Sequence, residues 1–252
     1  MRGDKERKCI DFVKSHLAFE CCYGITQLDK KEIDSFLNDA TPNKDSNAFP
    51  DFVFENGFIE HFQISSGKIT KKGSKHLQEF NSYQNENKKE LFSNMSKGDY
   101  SPMITSIKYS QHTYSNLSDS FKTSWESHIS SLEKYTGNKD IGVFMVEYKD
   151  ACIEMTENIF SNVKKGISCG NLIKPKQIDY YSLCHDKELL NYIYEYKNKI
   201  HYVIYVYNKG IEIINVRNIP ELLMLIPYNY CIAGMCGTVR MDTYIPIPNI
   251  EV

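Results

Sequence analysis

The stretch Phe49-Pro50-Asp51-Phe52-Val53-Phe54-Glu55-Asn56-Gly57-Phe58-Ile59-Glu60-His61-Phe62-Gln63 carries the strongest local signal in the chain. Two runs rich in aromatic and β-branched residues flank Asn56-Gly57, a strong hairpin dipeptide because both turn positions ask for positive φ. Strands over 49–55 and 58–64 are therefore expected. With Asn56-Gly57 as a two-residue turn, Glu55 faces Phe58, Val53 faces Glu60 and Asp51 faces Phe62. Opposed residues of an antiparallel pair project from one face, so Asp51 and Glu60 lie diagonally on it. Phe52, Phe54, Ile59 and His61 take the other face, which is expected to pack on the core.

Helices precede the hairpin. Ile10, Val13, Leu17 and Cys21 recur at helical spacing over 5–22, with Gly24 as a stop. A second helix is expected from Asp29, with Glu32 completing a capping box and Ile33, Phe36 and Leu37 as its buried stripe. The polar run 41–48 reads as a loop. Beyond the hairpin come a lysine-rich stretch, 65–77, and a polar region to about 119, read as an insertion over 81–118. Ser118 is the expected cap of a helix carrying Phe121, Trp125, Ile129 and Leu132 on one face and ending at Gly137.

The run 141–148 is almost wholly apolar, as a central strand buried on both faces should be. The stretch 164–181, with Gly166, Gly170 and Pro175, reads as loop, and 186–197 as helix. Strands over 201–207 and 211–216 flank Asn208-Lys209-Gly210, and Pro220 suits the first turn of a short helix to 225. Together these elements imply an α/β (mixed α+β) fold, a central mixed sheet flanked by helices, in a single domain spanning 1–252.

Composition narrows the classes of function. Of 252 residues, 41% are hydrophobic and 25% charged, which suffices for a sizeable core. A net charge of −2 excludes a globally basic nucleic-acid binder but leaves room for a local basic patch. Eight cysteines are scattered, apart from Cys21-Cys22, and the charged start 1–8 has no apolar signal core. Reduced thiols and a cytoplasmic location are the expectation. The apolar run 222–239 is broken by Pro227, Asn229, Gly234 and Gly237, so no membrane partner is expected. No Walker-type loop or dinucleotide fingerprint is present, and Cys231-x4-Cys236 lacks the second pair a zinc knuckle needs.

Two carboxylates on neighbouring strands, with waters and phosphate oxygens completing the shell, suit Mg²⁺. Such an ion activates water and neutralises charge developing on a phosphodiester. Pro50-Asp51, eight intervening residues and then Glu60 on a hairpin resembles the core of the PD-(D/E)XK, or restriction-endonuclease-like, nucleases. The resemblance implies an αβββαβ core, metal binding (Mg²⁺ or Mn²⁺) by Asp51 and Glu60, and phosphodiester hydrolysis, in DNA, in a restriction or defence setting. It also implies a lysine two residues after the Glu, where this chain has Phe62. Family members can supply that lysine from a neighbouring element, which makes Lys68, Lys71, Lys72 and Lys75 candidates, Lys68 and Lys72 for catalysis and all four for nucleic acid. A symmetric homodimer would suit an enzyme cutting both strands. The alternative is a catalytically inactive module of the same fold that binds nucleic acid or a protein.

Further candidates lie outside the motif. Glu147-Tyr148-Lys149 is a literal Glu-x-Lys at a strand end, able to add a ligand or a lysine to the Asp51/Glu60 site if the strands are neighbours. Glu20 falls beside Val13 and Leu17 on the expected first helix. His61 can carry a proton near neutral pH, and Gln63 follows two residues on, both across from the carboxylates.

Overall fold

The computed structural model describes residues 4–45, 48–67, 69–70, 73–74, 82, 85–86, 88–89, 92–93, 103–108, 112–150, 152–161, 171–178, 180–225, 230–234 and 240–245. In chain order the elements are α1 (Asp4–His16), a 3-10 turn (Phe19–Cys21), β1 (Cys22–Tyr23), α2 (Gln27–Asp39), β2 (Thr41–Pro42), β3 (Phe52–Phe54) and β4 (Gly57–Ile64). Next come β5 (Ile69–Thr70), β6 (Gly73–Ser74), β7 (Met103–Lys108), α3 (Tyr114–Lys134), β8 (Ile141–Tyr148), β9 (Ile153–Ser161), β10 (Asn171–Ile178) and a 3-10 turn (Leu183–His185). The last are α4 (Lys187–Tyr194), β11 (Tyr202–Tyr207), β12 (Gly210–Asn215), a 3-10 turn (Val216–Asn218), α5 (Ile219–Leu225), β13 (Tyr230–Gly234) and β14 (Arg240–Ile245).

The fold is mixed α/β, centred on a seven-stranded sheet of order β1-β12-β11-β8-β4-β3-β2. Its middle strands β4, β8 and β11 run parallel, and antiparallel pairs flank them on both sides. Strands covered on two faces need near-continuous apolar sequence, which is what Ile141–Tyr148 and Tyr202–Tyr207 supply. Alternation sends Phe144, Val146 and Tyr148 to one side, under Phe121, Trp125 and Ile129 of α3. It sends Val143 and Met145 to the other, under Ile10 and Val13 of α1 and Ile33 and Phe36 of α2. Trp125 is fully buried, edge-on to Phe144 at 4.8 Å and stacked on Phe121 at 5.4 Å. The packing is helix, sheet, helix.

Several boundaries differ from expectation, each for a local reason. The first helix stops at His16, not at residue 22. The Cys21 and Cys22 thiols donate back to the Ala18 carbonyl, and the chain turns to lay β1 parallel to β12. The second helix starts two residues early. Thr26 is its cap, accepting from the Asp29 N–H, while the Asp29 carboxylate accepts from the Thr26 N–H at 2.6 Å. Asp29 is therefore the last residue of a capping box rather than its first. The loop 41–48 contains the short strand β2. Thr113, not Ser118, caps α3, and Ser118 is buried within it. The expected loop 164–181 holds β10, whose Pro175 sits on the outer strand of its sheet, where a missing N–H is tolerated. The expected insertion contains β7, paired with β14.

The hairpin register also shifts. Phe54 pairs with Gly57 and Phe52 with Ile59, so the turn is Glu55-Asn56 rather than Asn56-Gly57. A Cβ at Gly57 would run into the Ile141 carbonyl oxygen of β8. Gly57 is thus required for the close approach of β4 and β8 rather than for a left-handed turn. The shift is by two positions, which preserves the faces. Asp51, in line with β3, now stands opposite Glu60 instead of diagonal to it. Both faces of the hairpin are buried, because Phe58 and Phe62 pack under α3 just as Phe52 and Ile59 pack under α1 and α2.

Candidate functional site

β4 carries two polar clusters, one on each face of the sheet. On the α3 face, Asn43 secures the approach to β3: its N–H donates to the Asp51 carbonyl at 2.8 Å and its side-chain amide to the Pro50 carbonyl at 2.9 Å. Where the backbone ladder would continue, the two carboxylates take over. The Asp51 N–H donates to Glu60 Oε2 at 3.0 Å, and the His61 N–H donates to Asp51 Oδ2 at 2.8 Å. The second Glu60 oxygen lies 2.6 Å from Nδ1 of His128 on α3. Glu60 is buried at 6% exposure and Asp51 is partly buried.

That burial, with the like charge of Glu60 second, raises the Asp51 carboxyl to about 6, although the His61 N–H pulls the other way. The group is thus a desolvated acid beside another acid. Phe62, in the place of the motif lysine, is 5% exposed and stacks on the His128 ring at 4.7 Å. Among the described residues, the imidazole of His128 is the nitrogen group beside the Glu60 carboxylate. Lys68, Lys71, Lys72 and Lys75 lie outside the described residues.

On the opposite face, His61 points to the end of β8. Its Nε2 is 3.1 Å from Glu147 Oε2, an oxygen that also accepts from the Gln63 amide, while Lys149 Nζ lies 2.9 Å from Oε1. The parallel register Gln63↔Glu147 puts these residues on one face. Glu147 therefore does not join Asp51 and Glu60, although its strand is their neighbour. Burial works to raise the Glu147 carboxyl, but the donors His61, Lys149 and Gln63 outweigh it and hold the group down at about 2. Cys9 of α1 completes the cluster. Burial first and the charge of Glu147 second push its thiol up to about 12. Cys9 and Glu147 line a cleft of about 420 Å³ that Lys5, Lys8 and Lys149 also line, and His61 lies beside them. The cleft opens at the carboxyl ends of parallel strands, where ligands of open α/β sheets commonly bind.

No protein-family model, curated protein or solved structure matches the chain.

Of the residues singled out by sequence, Asp51 and Glu60 meet on one face, and His61, Gln63, Glu147 and Lys149 meet on the other. Glu20 sits exposed in the 3-10 turn after α1, not beside the buried stripe, because the helix has already ended. His128 and Cys9 were not singled out by sequence, yet each had a signal. His128 follows Phe121 by seven residues and Trp125 by three, on the helical stripe facing the sheet, and Cys9 precedes Val13 by four. Cys9, Cys21, Cys22, Cys152 and Cys184 are free thiols. Among the described residues, no helix is long and apolar enough to cross a membrane.

Proposed function

We propose that this chain is a metal-dependent nuclease acting on DNA, with Asp51 and Glu60 holding Mg²⁺ or Mn²⁺. The observation that carries the reading is the direct opposition of Asp51 and Glu60 at the open end of the β3–β4 hairpin. Around it, α2, β2, β3 and β4, then α3 and β8, occur in the αβββαβ order of the restriction-endonuclease-like core, with β5, β6 and β7 inserted between β4 and α3. The donor set fits the ion. Both ligands are hard carboxylates, and Asp51 Oδ1 has no hydrogen-bond donor among the described residues.

A bound ion would supply an activated water and neutralise charge on the scissile phosphate. The protein's own groups orient the pair. The Asp51 and His61 N–H groups fix one oxygen of each carboxylate, and His128 holds the outer oxygen of Glu60. With Phe62 in the lysine position, His128 is the nearest described group able to carry a proton between Glu60 and solvent.

The same Phe62 favours the second reading, an inactive module of this fold that binds nucleic acid or a protein. One experiment separates them. The purified chain is incubated with supercoiled, linear and single-stranded DNA, and with RNA, across Mg²⁺ and Mn²⁺ titrations, beside Asp51→Asn and Glu60→Gln. Cleavage that needs the ion and is lost in both variants supports the nuclease. Retention of nucleic acid without cutting under either ion defeats it and leaves the binding module.

A further inference from the structure

We propose a second metal site, for Zn²⁺, built from Cys9, His61 and Glu147 beside the cleft between α1 and the ends of β8 and β11. The thiol sulfur, an imidazole nitrogen and a carboxylate oxygen of these residues all lie within 4.8 Å of one another. They come from three different elements, and at 3%, 7% and 8% exposure all three are buried. The sheet and the packed helix, not a loop, bring them together.

The chemistry of the set selects the ion. Sulfur, nitrogen and oxygen donors suit a borderline cation, whereas Mg²⁺ and Ca²⁺ take oxygen alone. In a tetrahedral zinc site, bonds of about 2.0–2.3 Å put neighbouring ligand atoms about 3.5 Å apart. The three side chains would close by roughly 1 Å to reach that spacing, within the range of small side-chain rotations. A surrounding shell is already in place, since Gln63 and Lys149 donate to the Glu147 carboxylate and fix its orientation.

Three protein ligands leave one position of the tetrahedron open, and two of them, Cys9 and Glu147, line the cleft. That is the pattern of zinc sites that bind an exchangeable ligand rather than of closed structural ones. Binding is balanced in charge and protons. Cys9 gives up its proton to solvent and binds as thiolate, His61 binds neutral, Glu147 is already ionised, and the +2 ion meets two negative charges. The exposed Lys5, Lys8 and Lys149 lining the cleft then favour an anionic group, such as a phosphate or carboxylate, at the fourth position. The site lies across the sheet from Asp51 and Glu60 and does not depend on the nuclease reading.

The test reads the metal directly, without nucleic acid. Apo protein is titrated with Co²⁺ at micromolar concentration and followed by absorption, then back-titrated with Zn²⁺. One Co²⁺ per chain should bind with a thiolate-to-cobalt charge-transfer band, and Zn²⁺ should bleach it. Cys9→Ser should lose the band, and Glu147→Gln should weaken affinity at least tenfold while keeping the band, each with a normal unfolding transition. If Cys9→Ser does not fold, Zn²⁺ protection of Cys9 from alkylation in the native protein replaces it. No stoichiometric uptake of Co²⁺, an unchanged band in Cys9→Ser, or unchanged affinity in Glu147→Gln overturns the site. So does alkylation of Cys9 at the same rate with and without Zn²⁺.

Discussion

Replacing Asp51 by asparagine should make the metal-free protein more stable at pH 8, although it removes a residue proposed to be essential. Burial and the Glu60 charge raise the Asp51 carboxyl to about 6, against a value near 3.9 in an unfolded chain. A folded-state value above the unfolded one means that the native protein binds the proton more tightly. Stability from this group is then greatest below pH 3.9, falls as the pH rises through 6, and stays low above it. The hundredfold difference corresponds to about 3 kcal/mol, and partial solvent access to Asp51 reduces it to roughly 1–2 kcal/mol. The asparagine would keep an oxygen to accept the His61 N–H while lacking the charge that opposes Glu60. Urea unfolding of both proteins in chelator should show the variant more stable by that amount at pH 8, with the gap closing near pH 3.5. Adding Mg²⁺ at about ten times its dissociation constant should restore some 1.4 kcal/mol to the wild type and little to the variant. A variant no more stable than wild type at pH 8 would refute the electrostatic argument. A gap untouched by Mg²⁺ or Mn²⁺ would remove the cation from this hairpin.

Three further outcomes follow from the packing. Gly57→Ala places a methyl against the Ile141 carbonyl oxygen, so the urea midpoint should fall by an amount worth about 3 kcal/mol; an unchanged midpoint would mean that β4 and β8 are not so closely apposed. Phe62→Lys writes the motif lysine back into the sequence but puts an ammonium beneath α3 against Trp125 and Phe144. It should cost about 4 kcal/mol or more and yield no gain in cleavage rate, and a stable, more active variant would show that position 62 can reach solvent. Glu212 is fully buried, which raises its carboxyl to about 7 even though Ser182 and the Cys184 N–H donate to it. Its contribution to stability is therefore lost as the pH rises from about 4.5 through 7, and Glu212→Gln should flatten that part of the wild-type stability curve, as read by thermal unfolding across pH.

The sequence was most legible where one physical signal acted alone. The almost wholly apolar run at Ile141–Tyr148 is a central strand at the expected bounds, because burial on both faces leaves few other uses for such a segment. The strands near Asn208-Lys209 also fall within a residue of expectation. Where two signals competed, the more local one misled. Asn56-Gly57 looked like the turn, yet Gly57 is needed by β8, far along the chain, and the turn moved back by one residue. Asp29 looked like a cap, yet Thr26 caps a helix that begins two residues earlier and accepts from the Asp29 N–H itself. The Asp51–Glu60 face was readable because a period of two survives a register error of two. Its partner on α3 was not, since no local pattern says which helix crosses a given strand.

The second cluster shows why an alternating strand can hold two sites without mixing them. Glu60 and His61 are adjacent in sequence, but pleating sends one side chain to α3 and the other to α1. Glu147 could have reached either set only by its register. Parallel pairing with Gln63 commits it to the His61 side. Residue 61 nevertheless belongs to both clusters, through its N–H to Asp51 and its ring to Glu147. A movement of the β4 backbone at this point would alter the Asp51 contact and the imidazole position together. Asp51 and Glu147 are therefore separated by the sheet yet joined through a single residue of β4.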